Sequence, residues 1–331
     1  MITGPIRCAR SLLVDSKADV LIYGMGEKQI LELAKALDEN RLIEQLPTIK
    51  GICYMSKTLP EGKIKECPSY EIVKEDKKQF AEAFRIQYYE QDPFIGKTVA
   101  QLHGDRYVIQ NSPALPLTQA EMDEVYSLPF TRRWHPRYDA KGGVPALREV
   151  QFSLVSHRGC FGSCSFCAIT SHQGRIIQNR SHESLIAEAE RMIAMPDFKG
   201  YIHDVGGPTA NFRHTACEKQ GTKGACPGKN CAAPHACENL DTSHDDYLAI
   251  LRKLRKLKGV KKVFVRSGLR YDYVLEDNNR EFVKELCEHH VSGQLKVAPE
   301  HVSEAVTEIM GKADKTVFLK FKDWFETLIA N

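Results

Sequence analysis

The chain has 331 residues, of which 42% are hydrophobic and 27% are charged. These fractions exclude a largely disordered protein, and the length indicates about two domains. The 46 basic and 43 acidic residues leave a formal net charge of +3, which neither requires nor excludes a polyanionic partner. No apolar run approaches the roughly 20 residues that a membrane helix needs, and the N-terminus lacks a secretory signal pattern. We therefore expect a cytoplasmic protein.

The first part of the chain alternates strand-like and helical segments. The apolar run ADVLIYG precedes a helix predicted over 28–37, and a second apolar strand begins at Gly51. This order predicts the end of an α/β, doubly wound-like region over residues 1–58. The apolar residues of the predicted helix share one face: Ile30, Leu31, Ala34 and Leu37.

Residues 59–143 are richer in charge and proline, which predicts a helical and irregular connector. The pattern within it favours one amphipathic helix over 76–91. The connector also carries a basic and aromatic cluster, which either binds nucleic acid or anchors a surface loop through its rings. The residues of this cluster are Arg132, Arg133, Trp134, His135, Arg137 and Tyr138.

From residue 144 to the end, strands and helices alternate regularly. Strands are predicted over 148–156, 201–207, 261–268 and 293–300, each followed by a helix. Four such units in succession predict parallel strands, which an open sheet and a barrel both satisfy. Four strands do not close a barrel, so we predict a partial (β/α) barrel over 144–331. Both ends of the chain look cut, which indicates a fragment of a longer protein.

Three of the eleven cysteines form a close group. Cys160, Cys164 and Cys167 have the spacing C-x3-C-x2-C directly after a predicted strand. Gly159 and Gly162 allow the backbone to wind around a shared metal. Structural zinc usually takes four ligands, whereas three thiols leave one iron of a [4Fe–4S] cluster open to other chemistry. The spacing therefore predicts a catalytic iron–sulfur cluster.

This loop, with Phe166 just before the third cysteine, resembles the radical S-adenosylmethionine (SAM) enzymes. Further segments at 18–27, 129–138, 149–175 and 296–303 resemble the YgiQ family within them. The resemblance implies that the open iron binds SAM and that the reduced cluster cleaves it. The 5′-deoxyadenosyl radical so formed abstracts hydrogen from a substrate that the family does not identify. It also implies an electron donor such as flavodoxin or ferredoxin.

The resemblance further implies which residues contact SAM. Gly206 and Gly207 match the family's glycine-rich motif for the SAM amino group, although Pro208 replaces the usual acidic residue. A strand-ending turn explains the same glycines without a ligand. Other candidates lie at the carboxyl ends of predicted strands, where barrel active sites are built. Each of them could instead belong to a surface ion pair. Together with Phe166, these candidates are Arg266, Ser267, Lys296 and Glu300.

A second cysteine set lies in an insertion predicted over 208–243. The insertion is polar and contains glycine and proline, so it needs a source of order other than an apolar core, and a metal supplies one. Its thiols predict an auxiliary Fe–S cluster or zinc, with unligated thiols or a disulfide as the alternative. These thiols are Cys217, Cys226, Cys231 and Cys237.

Two other functions compete with a radical SAM enzyme. A non-catalytic iron–sulfur electron carrier or metal-binding module requires a fourth ligand for the first cluster. An RNA-binding or RNA-modifying protein with a structural metal is suggested by the basic and aromatic cluster. The net charge of +3 and the lack of a recognisable RNA-binding pattern argue against the second.

Overall fold

A computed structural model describes residues 8–41 and 48–330. The chain divides into two compact units. The first runs up to Pro116 and includes Ser171–Gly174 and Thr222–Gly228, and the second contains Leu117–Thr170, Arg175–Gly221 and the chain from Lys229 onward. Among the helices of the described residues, none combines the length and apolarity that crossing a membrane requires.

The described residues of the first unit include five strands and four helices. The strands are β1 (Val20–Ile22), β2 (Ile52–Ser56), β3 (Ile64–Cys67), β4 (Thr98–His103) and β5 (Arg106–Gln110). The helices are α1 (Leu12–Ser16), α2 (Glu27–Asp38), α3 (Tyr70–Glu75) and α4 (Lys77–Tyr89). The helices predicted over 28–37 and 76–91 are thus confirmed, and the Asp76 side chain caps α4 by accepting from the backbone of Lys78 at 2.7 Å.

These five strands form one mixed sheet in the order β1-β2-β5-β4-β3. Only β3 and β4 pair in parallel, and the other three pairs are antiparallel. The sheet therefore differs from the doubly wound arrangement predicted for residues 1–58, and three of its strands lie in the connector predicted for 59–143. The two strands within residues 1–58, β1 and β2, pair antiparallel, whereas a doubly wound sheet needs parallel neighbours. Between β4 and β5 the antiparallel pairing follows from the two-residue turn that Gly104 and Asp105 form between His103 and Arg106.

Helix α2 packs on this sheet through a different face from the predicted one. Leu33 and Ala36 are buried and cluster with Ile52 and Tyr54 of β2. All four residues of the predicted face, Ala34 among them, are instead exposed. The exposed fractions of the three large side chains are 52% for Ile30, 71% for Leu31 and 51% for Leu37. The helix was predicted correctly, but the sheet covers only the side that carries Leu33.

The strands of the second unit are short. They are β6 (Ser153–Val155), β7 (His157–Arg158), β8 (Gln178–Asn179), β9 (Tyr201–Ile202), β10 (Asp204–Gly206) and β11 (Lys262–Val263). The other α-helices of the described residues are α5 (Gln119–Ser127), α6 (Leu147–Val150), α7 (Ile169–His172), α8 (His182–Ile193), α9 (Gln220–Lys223), α10 (Asp245–Arg255), α11 (Tyr271–Glu276), α12 (Glu281–Glu285), α13 (Glu304–Met310) and α14 (Lys315–Ala330). A 3-10 helix covers Pro136–Lys141, and a π-helical turn covers Leu286–His290.

The principal strands of this unit pair in parallel, as four successive βα units predict. β6 pairs with β10, and β9 pairs with β11. An isolated parallel bridge joins Leu269 to Val297, which places the predicted fourth strand beside the segment after β11. The α/β class is therefore confirmed. The carboxyl ends of these strands are where the sequence places its candidate site residues.

Helices α8 and α10 supply much of the core beneath these strands. Leu185, Ala189 and Met192 of α8 are completely buried, and the Ser181 side chain caps this helix by accepting from the backbone of Ser184 at 3.0 Å. On α10, Leu251 and its neighbours join the same cluster. The scaffold that carries the strand ends is thus a continuous apolar core.

Candidate metal centre

The loop after β7 carries Cys160, Cys164 and Cys167. It leaves the strand at Gly159, whose φ of +85° is a conformation that residues with side chains rarely adopt. A Cβ at Gly159 would lie 2.3 Å from the carbonyl oxygen of Ile176. Only glycine therefore fits where the chain turns from the strand into the cysteine loop.

An aromatic stack and two hydrogen bonds fix this cysteine loop. Phe161 is fully buried, and its ring stacks on that of Phe212 with 3.7 Å between the centroids. Further along the loop, Ser165 donates from its backbone nitrogen to the carbonyl of Met310 at 3.0 Å and from Oγ to that of Ile309 at 2.7 Å. The loop is therefore anchored on both sides of Cys164.

The three thiols are free and partly buried. Burial raises the pKa of the Cys164 thiol, and the thiols of Cys160 and Cys167 contribute to the increase, which indicates that they lie near it. The Sγ of Cys160 also lies 3.5 Å from the Oγ1 of Thr209. Across the described residues, no three His, Cys, Asp or Glu side chains are already converged on a metal position. Ligation therefore requires the thiols to turn toward a shared centre.

A buried cation that the sequence patterns did not single out faces these thiols. The Nη1 of Arg270 lies 3.8 Å from the Sγ of Cys164, and only 4% of Arg270 is exposed. Its Nε donates to Asp272 at 2.8 Å, and Nη2 donates to the second carboxylate oxygen. Burial opposes the charge, but Asp272, with the Cys164 and Cys160 thiols, holds the pKa of Arg270 above its ordinary value. Arg270 therefore stays cationic beside two of the three thiols.

Lys312 is a second buried cation near the loop. Its Nζ donates to the carbonyl of Ala298 at 2.9 Å and lies 3.3 Å from Oε1 of Glu300. The same ammonium group lies 5.9 Å from the ring centroid of Phe166. Its charge acts to lower the pKa of Cys164, against the larger effect of burial. Lys312 thus connects two residues predicted for the site, Phe166 and Glu300.

The carboxylate of Asp204, in β10, binds two of the residues predicted for the site. Asp204 accepts hydrogen bonds from the backbone nitrogens of Arg266 at 2.7 Å and Ser267 at 3.1 Å, and the Ser267 hydroxyl donates to its other oxygen. A Cβ on Gly206 would lie 2.5 Å from the Oγ of Ser267. The Arg266 guanidinium lies 3.3 Å from Glu149. The structure therefore brings Gly206 and Ser267 together, and Asp204, which the sequence did not single out, joins them.

Gly207 packs against a buried histidine. A Cβ there would lie 2.6 Å from Nε2 of His157. His157 is fully buried, with its ring nitrogens 3.0 Å from the carbonyl oxygen of Thr209 and 2.8 Å from the Oγ of Ser156. Burial lowers the pKa of His157 to about 3, so this ring is neutral at physiological pH. Close packing thus requires both glycines of the pair, independently of any ligand.

Lys296 lies on the segment predicted as the fourth strand. Its side chain is exposed, and its carbonyl accepts from the backbone nitrogen of Leu269 at 3.0 Å. This bond continues the parallel pairing between the third and fourth predicted strands.

The four cysteines of the second set fall in different units. Cys226 lies in the first unit, and Cys217, Cys231 and Cys237 lie in the second. Within the second unit, Cys237 donates from its backbone nitrogen to the carbonyl of Cys231 at 2.8 Å, and Gln220 donates to the Cys231 sulfur at 3.6 Å. The described residues contain no converged metal-ligand group here either, so a metal in the insertion stays a prediction.

Acidic partners occupy the first two arginines of the basic and aromatic cluster. Arg132 is 16% exposed and pairs with Glu188. Arg133 pairs with Asp197 at 2.9 Å. Ion pairs thus hold these two arginines, while anchoring of the loop through its rings and binding of RNA both stay predictions.

Family models match nearly the whole chain. Residues 6–153 match the Radical SAM N-terminal family, and residues 154–326 match the Radical SAM superfamily. The chain belongs to the radical SAM superfamily. The cysteine loop, Arg270 and Lys312 all lie within the second match.

Relatives of similar sequence are longer than this chain. A UPF0313 protein from Clostridium botulinum (strain ATCC 19397 / Type A) is 57% identical over 313 residues, which cover 94% of this chain and 48% of that protein. A UPF0313 protein from Clostridium perfringens (strain SM101 / Type A) is 52% identical over 318 residues, which cover 96% and 48%. The chain therefore spans about half the length of the curated relatives it matches.

Among solved structures, the chain is distantly similar to the radical SAM methyltransferase TsrM from Kitasatospora setae. The TsrM structure with cobalamin and a [4Fe–4S] cluster matches with a TM-score of 0.42 at 14% identity, covering 89% of this chain and 40% of that one. The structure with tryptophan and a SAM analogue matches with a TM-score of 0.43 at 15% identity, covering 96% and 44%. Similarity at this level assigns no role to any residue of this chain.

The residues of the loop fit the cluster that superfamily membership implies. Three thiols on one glycine-containing loop suit a [4Fe–4S] cluster with one open iron, whereas structural zinc usually has four protein ligands. The buried cations Arg270 and Lys312 suit a ligand set that carries negative charge. Both the sulfur donor atoms and the positive charges near them therefore fit a [4Fe–4S] cluster.

Proposed function

We propose that this chain contains the cofactor-binding part of a radical SAM enzyme, with Cys160, Cys164 and Cys167 as ligands of a [4Fe–4S] cluster. The observation that carries the proposal is the loop after β7, which carries three free thiols, with the sulfur of Cys164 3.8 Å from the buried cation Arg270. When bound, such a cluster supplies one electron to the sulfonium of SAM, and the resulting 5′-deoxyadenosyl radical takes a hydrogen atom from the substrate.

The chain's own residues shape the cysteine loop and cover part of it with apolar surface. Gly159 permits the turn that brings the loop back over the strand end, and the stack of Phe161 on Phe212 covers its inner side with apolar surface. Such a cover supports chemistry in which a reactive radical must not meet solvent.

We propose that SAM contacts residues of the loop and of the strand ends. The half-exposed ring of Phe166 offers a surface on which a purine can stack, and backbone carbonyls at Gly206 and Gly207 can accept from an ammonium group. The remaining proposed contacts are Arg266, Ser267, Lys296 and Glu300. Of these, Glu300 is the most direct neighbour of the loop, through Lys312 and Phe166.

A one-electron reductant must reach this site, and we propose a small cytoplasmic electron carrier such as flavodoxin or ferredoxin. The substrate and the reaction belong to the whole protein, of which the chain spans about half. We also propose that the second cysteine set binds an auxiliary Fe–S cluster or zinc, because the insertion is polar and needs another source of order.

Anaerobic reconstitution with iron and sulfide tests the proposal. Iron, sulfide and zinc are quantified in the parent and in a triple variant with Cys160, Cys164 and Cys167 changed to Ala. EPR spectra of the reduced proteins are recorded with and without SAM. We expect about four irons to disappear in the triple variant, and we expect the parent spectrum to change when SAM is added.

Two further variants separate the cysteine sets. Changing Cys217, Cys226, Cys231 and Cys237 to Ala should leave the SAM-responsive signal and remove any additional iron or zinc. Changing only Cys287, which lies outside both cysteine sets in the sequence, to Ala should alter neither the SAM-responsive signal nor the additional metal. A parent that binds cluster yet ignores SAM would favour the electron-carrier function, and equal iron in the parent and the triple variant would refute the ligand assignment.

A further inference from the structure

We infer that Arg270 is a positioning residue that orients the thiolates of Cys164 and Cys160 and raises the reduction potential of their cluster. The inference rests on the proposed function, because it concerns the cluster that these thiols bind. It assigns a role to a side chain outside the cysteine motif, 106 residues after Cys164.

The packing around Gly162 admits the guanidinium into the loop. A Cβ at Gly162 would lie 2.7 Å from the Nη1 of Arg270 and 3.3 Å from the Sγ of Cys160. Because glycine occupies this position, the cation can lie beside Cys160 as well as 3.8 Å from the sulfur of Cys164. The cation therefore faces two neighbouring ligands rather than one.

Arg270 is held from several sides. Asp272 accepts from Nε and Nη2 along one edge of the guanidinium, and this bidentate geometry holds an arginine firmly. Asn211 accepts from the Arg270 backbone nitrogen at 3.0 Å and donates to its carbonyl at 3.3 Å. The Phe212 ring centroid lies 5.9 Å from the guanidinium carbon. A side chain held in this way keeps its charge at a constant distance from the thiols.

The sign of the effect follows from charge. Reduction adds one electron to the cluster, so a nearby positive charge stabilises the reduced state more than the oxidised state. The effect is strengthened because Arg270 is 4% exposed, where water screens little. Asp272 offsets part of the positive charge but lies on the far side of the contact, bound to Nε and Nη2, while Nη1 meets the sulfur.

The test compares Arg270→Gln with Arg270→Lys in the full chain after anaerobic reconstitution. Each protein is titrated with a reductant and followed by EPR in the absence of SAM, so that a role in binding SAM alone does not affect the result. We expect Arg270→Gln to lower the equilibrium constant for reduction about tenfold, or roughly 59 mV for one electron. We expect Arg270→Lys, which keeps the charge, to recover most of that loss. Equal potentials in the parent and Arg270→Gln, each with four irons, would overturn the inference.

Asp272→Asn provides a test of opposite sign, because it removes the counter-charge and leaves the guanidinium. We expect it to raise the potential, and an unchanged or lowered potential would count against the inference. If Arg270→Gln loses its iron while Arg270→Lys retains it, the positive charge is needed to hold the thiolates, which supports the positioning role. A parent chain that binds no iron instead contradicts the proposed function itself.

Discussion

Gly207 lies so close to His157 that an added Cβ would be 2.6 Å from the imidazole Nε2 and 2.8 Å from the His157 carbonyl oxygen. The imidazole has no room to withdraw, because it is fully buried and contacts Ser156 and Thr209 through its two nitrogens. We expect Gly207→Ala to destabilise the protein by about 1–3 kcal/mol through overpacking. The free energy of unfolding in urea measures this cost.

Gly221→Ala is the matched control for that substitution. A Cβ at Gly221 meets nothing within 4 Å, and the residue lies in α9, where alanine is favoured over glycine. The control should therefore be neutral or slightly stabilising. Equal losses in Gly207→Ala and Gly221→Ala would show that the contact with His157 does not limit the site.

Alanine substitutions at Gly159 and Gly174 distinguish the effect of backbone conformation from the effect of steric contact. Both have φ of +85°, but a Cβ at Gly159 would lie 2.3 Å from the Ile176 carbonyl oxygen, whereas one at Gly174 meets nothing within 4 Å. Both Gly→Ala variants therefore share the conformational cost of roughly 1–2 kcal/mol, and only Gly159→Ala must displace the loop. We expect reconstituted Gly159→Ala to bind less than half the iron of the parent and Gly174→Ala to bind a normal amount. Iron analysis that finds the two variants alike would contradict this account.

Parts of the secondary structure of the second unit could be predicted, because some of its strands and helices carry a local signal. The strand predicted over 148–156 begins too early, because Leu147–Val150 form α6, and the strand predicted over 293–300 is reduced to a single bridge at Val297. Alternating polar and apolar residues mark β6, and Ser181 marks the start of α8 through its capping hydrogen bond. The antiparallel hairpin of β4 and β5 also had a signal, the two-residue Gly104–Asp105 turn. The surrounding charge and proline outweighed that signal, and the region was predicted as a connector.

The charged surroundings of the cysteine loop could not be predicted in the same way. The Cys160–Cys167 motif is local in sequence, but Arg270 and Lys312 reach it only through tertiary packing. In the sequence, Arg270 and Asp272 look like any exposed ion pair near the start of a helix. Burial of a salt bridge depends on what covers it, and no pattern within one segment reports that.

Glu188 links two arginines in the interior of the second unit. One carboxylate oxygen accepts from Arg132 and the other from Arg180, and Arg180 is fully buried. Burial lowers the pKa of Arg180 to about 10, so it is still charged at neutral pH. Glu188→Gln leaves both cations without their shared anion, and breaking a buried pair in this way costs about 3–5 kcal/mol. Urea unfolding at pH 7 should show this loss.

Glu326→Gln is a control that tests whether the destabilisation expected for Glu188→Gln arises from burial of the carboxylate. Glu326 pairs with Lys322 at 2.8 Å on the exposed side of α14, where water screens the interaction. We expect this control to change the unfolding free energy very little. A loss comparable with that of Glu188→Gln would mean that removal of a carboxylate, rather than its burial between two arginines, determines the cost.

His290 makes the stability of the protein depend on pH. Its side chain is completely buried, its Nδ1 donates to the Val263 carbonyl at 2.8 Å, and burial lowers its pKa to about 4. In the unfolded chain the pKa of histidine is about 6.5, so between these values unfolding takes up a proton. The stabilising contribution is therefore complete above pH 6.5 and is lost as the pH falls toward 4.

We expect the unfolding free energy of His290→Gln to fall less steeply than that of the parent between pH 6 and pH 5, by about 1 kcal/mol per pH unit. Urea unfolding at both pH values measures the slope, with the exposed Ser292→Ala as a non-titrating control. If His290→Gln retains the slope of the parent and of Ser292→Ala, groups other than His290 take up the proton.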